Sequence, residues 1–97
     1  MSAYVIAQIK WEDPASRDQY VAAFYPVFER HGGTLLAATD DQTEILEGSW
    51  QLPGTVIMRF PSSDHARAWL SDPDYQAAAQ IRHRSALTNL VLVEGRD

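Results

Sequence analysis

The sequence predicts an α+β fold of two layers, with helices stacked on one face of a sheet. Three observations carry that prediction. Strand-like runs and two helical stretches follow one another in the order β-α-β-β-α-β. The 97 residues suit one domain, residues 1–97, built round a single core. A composition of 45% apolar and 22% charged residues is that of an ordinary folded domain.

Ala3 to Lys10 reads as the first strand, rich in β-branched and aromatic residues and weakly alternating. Val5, Ala7 and Ile9 share one face; Tyr4, Ile6 and Gln8 share the other. Neither face is fully polar, so cover is expected on both. Asp13-Pro14 then opens a helix: Asp13 caps free backbone N–H groups, and Pro14 stands where no N–H is needed. Tyr20, Phe24, Val27, Phe28 and His31 form one helical stripe. Pro26 inside it predicts a kink, and Gly32-Gly33 ends it.

Thr34 to Thr39 is the second strand and Asp40-Asp41-Gln42 a turn. Thr43 to Trp50 reads as an extended edge or bulged strand, broken by Leu52-Pro53-Gly54. Thr55 to Phe60 is a strong strand, stopped by Pro61. Ser62 or Ser63 caps the next helix, which carries Ala66, Trp69 and Leu70. A second capping signal at Asp72-Pro73 breaks and restarts it, with the second piece running roughly through Arg82. Ala86 to Glu94 is the last strand.

This order predicts a ferredoxin-like sandwich with the first and third main strands central and the last strand beside the first. Helices cover one face of such a sheet. The apolar side chains on the other face predict a partner chain, and a two-fold homodimer is the commonest way to supply one.

Eight Lys+Arg against thirteen Asp+Glu give a net charge of −5, which argues against nucleic acid or an anionic membrane surface as partner. Without cysteine there is no disulfide, thiolate nucleophile or thiolate metal site. No apolar run reaches membrane length and no charged-then-apolar leader is seen, so a cytoplasmic location is expected.

The motifs also carry a resemblance. Tyr20, His31-Gly32-Gly33, Glu47-Gly48-Ser49-Trp50, Phe60-Pro61-Ser62 and Ala66 with Trp69 come first along the chain. Ser71, Pro73, Tyr75-Gln76, Arg82 and Val91 to Gly95 complete the set. In order and spacing, over about residues 3–95, they resemble the DUF1330 family, small bacterial proteins without an assigned function. Two positions depart from that pattern: Leu52-Pro53-Gly54 replaces a frequent basic residue, and Arg59-Phe60-Pro61 replaces Glu-Phe-Pro. The resemblance implies the wider dimeric α+β barrel group, whose members include monooxygenases, lactone isomerases and haem proteins. Fold alone chooses no reaction among them.

Candidate site residues follow from chemistry and position. No nucleotide, phosphate-loop, nucleophile-elbow or HExxH motif is present. None of His31, His65 and His83 has a metal-ligand partner at helical spacing, so neither a metal nor a cofactor is expected. Arg82, in the basic cluster Arg82-His83-Arg84, can fix a carboxylate in two-point geometry or simply complement a helix C-terminus. Trp50 is a ligand wall or a plug in the dimer seam. Gln8 and Asn89, polar residues inside apolar strands, are hydrogen-bonding groups in a cavity or partners of each other. Glu47, His31 and Tyr25 are the candidates for moving a proton, against bland readings as an ion pair, a helix-end histidine and a packing tyrosine.

The functional reading is a small dimeric protein that binds a small organic molecule, acidic if Arg82 anchors it, between sheet and helices. One alternative is a cofactor-independent enzyme, an oxygenase or isomerase, acting on a small aromatic or polyketide-like acid. The other is a dimeric interaction module without chemistry.

Overall fold

A computed structural model describes residues 1–97. The elements run β1 (Ala3–Trp11), α1 (Pro14–Arg30), β2 (Thr34–Thr39), β3 (Gly54–Phe60), α2 (Ser63–Ser71), α3 (Pro73–Ser85) and β4 (Ala86–Glu94). The sheet order is β2-β3-β1-β4, every neighbouring pair antiparallel. This is the ferredoxin-like α+β fold the sequence predicts, with β1 and β3 central and β4 beside β1.

Local chemistry accounts for the helix ends. Asp13 accepts the backbone N–H of Ala15 at 3.2 Å and opens α1. Gly32, at φ 79°, closes it in the left-handed region that a side chain disfavours. Ser62 caps α2 through the N–H of His65, and Asp72 caps α3 through the N–H of Asp74 at 2.8 Å. α1 runs unbroken through Pro26, held on either side by the buried Phe24, Val27 and Phe28. α3 continues to Ser85, three residues past its expected end.

One predicted strand is absent. Thr43 to Trp50 forms no strand and belongs to the long connection between β2 and β3. β2 already occupies the outer edge of β3, and Gly48 turns the chain at φ 77°. The irregularity expected there lies in β2, where the register slips between Leu35 and Ala37.

The pleat sorts side chains between two faces. Val5, Ala7 and Ile9 of β1 point to the helices with Met58, Val56 and Leu92. The core is aromatic: Phe24 stacks on Phe28 with centroids 4.6 Å apart, and Trp69 lies 4.2 Å from Tyr75. Such pairs add about 0.5–1.5 kcal/mol each beyond the area they bury. The opposite face carries Tyr4, Ile6, Ile57, Val91 and Val93, with Val91 55% exposed. At its edge Arg59 donates to the Ser2 hydroxyl at 3.0 Å and pairs with Asp97.

Candidate functional site

α2 packs on β1 and α3 on β4, whereas α1 leans chiefly on α3 and meets the sheet through Phe28 against Phe60 of β3, with ring centroids 5.4 Å apart. The space left between α1 and the sheet is a cavity of about 170 Å³. Its wall is mostly apolar: Ala7, Val56 and Met58 from the sheet, Val21 and Phe24 from α1, Leu90 from β4. That wall follows from the periodicities, since odd-numbered positions of β1 and the apolar stripe of α1 converge on one space.

Arg82 is the charged group buried in this wall, at 7% exposure. It takes part in none of the protein's ion pairs. Its Nη2 donates to the hydroxyl of Tyr75 at 3.4 Å, and its guanidinium sits 5.9 Å from the Tyr20 ring centroid. A cation over an aromatic ring gains about 0.5–2 kcal/mol, which falls short of the several kcal/mol lost on burying an unpaired ion.

The two tyrosine hydroxyls meet at 3.0 Å. Burial, and then the neighbouring Tyr75, pushes the Tyr20 phenol far above its ordinary value, so it stays protonated. Two polar atoms of residues packed round the cavity have no hydrogen-bond partner within the protein, the indole N–H of Trp69 and the hydroxyl of Thr88, and both are buried away from its surface. Each such group costs about 1–3 kcal/mol when left unpaired. Nearer solvent, Arg17 and Asp40 also line the cavity and pair at 3.0 Å.

Of the residues singled out in the sequence, the structure brings Arg82 and Tyr25 to this cavity. Gln8 and Asn89 do not reach it. They stand opposite each other on the uncovered sheet face, where the amide of Asn89 donates to Gln8 at 3.0 Å and to Gln51 at 3.3 Å. Strand parity is the reason: Gln8 is one residue out of phase with the cavity-lining Ala7 and Ile9. Glu47 and Trp50 lie in the connection after β2 and line a separate, more open depression with Thr43 and Thr55. His31 Nε2 donates to the Asp72 carboxylate at 2.7 Å, at the junction of α1 with α3. Its partner Asp72 also receives Arg30 at 2.8 Å, and these bonds hold the Asp72 carboxyl well below the usual carboxylate range.

Tyr20 and Tyr75 set their hydroxyls beside Arg82 at the cavity, and this is not legible in the sequence. Tyr20, Tyr75 and Trp69 read as packing residues, which they also are. One sequence signal points to Tyr75: it lies seven residues before Arg82, two turns along the same helix.

The sequence pattern of DUF1330, described as a domain of unknown function, matches residues 2–96. No curated protein sequence matches the chain. Among solved structures, a protein of unknown function from Rhodopseudomonas palustris superposes with TM-score 0.77 at 19% identity, covering 99% of this chain and 83% of its own. SnoaB, a cofactor-independent oxygenase from Streptomyces nogalater, does so with TM-score 0.70 at 16% identity, covering 99% and 94%. A dimeric ferredoxin-like protein of unknown function from Thermobifida fusca gives 0.69 at 21%, covering 98% and 92%. At these identities the likeness is one of fold.

Proposed function

We propose, from the premise that this chain belongs to the DUF1330 family, that it binds a small organic acid in the cavity between α1 and the sheet. One observation carries the reading. Arg82 is buried on an apolar cavity wall with no carboxylate beside it. A ligand carboxylate supplies the missing counter-charge in a site where water is scarce and a charge-assisted bond is strong. The wall of apolar side chains with a few polar groups is the usual make-up of a small-molecule site.

The homodimer belongs to the same reading. It is supported by the uncovered face of Ile6, Ile57 and Val91, and by dimeric neighbours of the same fold.

The enzyme reading stands second, on the fold it shares with SnoaB and on Tyr25 at the cavity wall. Glu47 and His31, the other proton-moving candidates, lie outside the cavity. Its wall holds Tyr20 as a standing acid. That suits holding an anion better than abstracting a proton.

Native mass spectrometry of the purified protein tests the binding reading. The expected result is a mass of twice the chain with a bound small acid that is lost in Arg82→Met and in Val21→Phe, which fills the cavity with a ring. An adduct retained by both variants overturns the cavity as its site.

A further inference from the structure

Gln8, Asn89, Glu47 and Trp50, which lie away from the cavity, gather on the outer face of the sheet. Thr55, Gln8 and Asn89 form one row there across β3, β1 and β4. The connection between β2 and β3 is tied to both ends of this row. The hydroxyls of Thr43 and Thr55 are hydrogen-bonded at 2.6 Å, and the amide of Asn89 donates to Gln51 at 3.3 Å. The stretch from Thr43 to Gln51 is thus an arm fastened to the outer face at two points, which lie two strand spacings, roughly 10 Å, apart.

Between those points the arm turns apolar side chains to solvent: Ile45 is 55% exposed, Leu46 88% and Trp50 39%. With Leu87, Val91 and Val93 of the same face, they are six of the ten large apolar side chains left exposed. Such side chains scattered singly need no cover, whereas a set gathered on one face marks an interaction surface.

Charge and area point to a second copy of this chain as the cover. The charged side chains on the outer face of the strands are both cations, Lys10 and Arg59, and Arg59 is paired with Asp97. The arm carries Glu44 and Glu47 and no Lys or Arg. Lys10, Glu44 and Glu47 take part in none of the protein's ion pairs. A face that bears an unmatched cation and unmatched anions is self-complementary about a two-fold axis. The molecule is a slab of 32 × 30 × 16 Å, and its broad side exceeds the roughly 800 Å² per partner of a stable interface. We propose that each arm of the homodimer lies against the outer face of the other copy, with Ile45 and Leu46 on its apolar row and the arm's carboxylates facing its Lys10. This rests on the homodimer reading and goes beyond it by naming the segment that holds the two copies together.

Sedimentation velocity of the full chain measures the dimer. Ile45→Ser combined with Leu46→Ser should raise the dissociation constant at least tenfold. The circular dichroism should stay that of the parent, because neither side chain belongs to the core. Two charge-reversed chains test the contact between copies: Lys10→Glu in one, Glu44→Lys with Glu47→Lys in the other. Each alone should dimerise at least tenfold more weakly than the parent. Mixed, they should form the mixed dimer well in excess of random pairing, because each arm then meets the opposite charge on the other copy. Native mass spectrometry separates the three dimers by mass.

A parent dimer that the Ile45→Ser, Leu46→Ser variant matches in affinity would overturn the role of the arm and leave the homodimer standing. Random pairing of the two charge-reversed chains would overturn the contact between the arm and the Lys10 of the other copy. A parent that stays monomeric at millimolar concentration would overturn the homodimer reading and the arm's role together, and would leave the apolar arm to a partner other than this chain.

Discussion

At Asp72 three interactions converge on one carboxylate: the ring of His31, the guanidinium of Arg30, and the N–H of Asp74 that starts α3. The His31 bond, then Arg30, keeps its acid form unfavourable in the fold. The ionised carboxylate is thus the folded form, and its contribution is complete above the ordinary value of 3.8. It is lost as pH falls through the lower folded value. Thermal melts of Asp72→Asn should start lower than the parent at neutral pH. They should then converge with the parent as pH drops from about 5 toward about 1. Curves that stay parallel down the acid limb would show that the carboxylate charge contributes nothing. Legibility at this scale was uneven. Arg82 stood out in the sequence through the basic cluster Arg82-His83-Arg84 at a helix end and the family resemblance, but its burial at 7% exposure did not show there. Trp69 and Thr88 did not stand out, because an unpaired indole or hydroxyl shows only once its neighbours in space are known.

Among the elements, α1 is the one whose sequence and structure pull in different directions. Pro26 removes the hydrogen bond to the carbonyl of Ala22 and crowds that turn, yet the helix continues because Phe24, Val27 and Phe28 anchor both sides. Pro26→Ala should therefore stabilise the protein by about 1–3 kcal/mol, the restored bond outweighing the extra freedom of the unfolded chain. Denaturant unfolding measures this, and a destabilised variant would mean that the proline shapes α1 over the cavity. The helix caps at Asp13, Ser62 and Asp72 were readable because a cap is a contact within a few residues. The segment from Thr43 to Trp50 was misread as a strand: β2 takes the place beside β3, and whether a following segment also adds to the sheet is a matter of long-range pairing that local composition does not carry.

For the whole molecule, the two faces of one sheet set the division of labour. The helix-covered face encloses the cavity, and the uncovered face presents Ile6 between Ile57 and Val91. Val91→Glu puts a charge in that apolar row and should convert the expected dimer to a monomer in sedimentation velocity, with the fold retained by circular dichroism. A dimer that persists would place the seam elsewhere. By itself the sequence determined the element order, the helix caps, the aromatic core stripe and the ferredoxin-like class. Each of these is written in local periodicity or in a residue's own conformational preference. Tertiary structure alone decided that Gln8 and Asn89 pair on the far side of the sheet from Arg82. It also decided that Tyr20 and Tyr75 stand beside Arg82 at a cavity. Strand register and the placing of α1 are sums of many distant contacts, and no run of residues along the chain carries them.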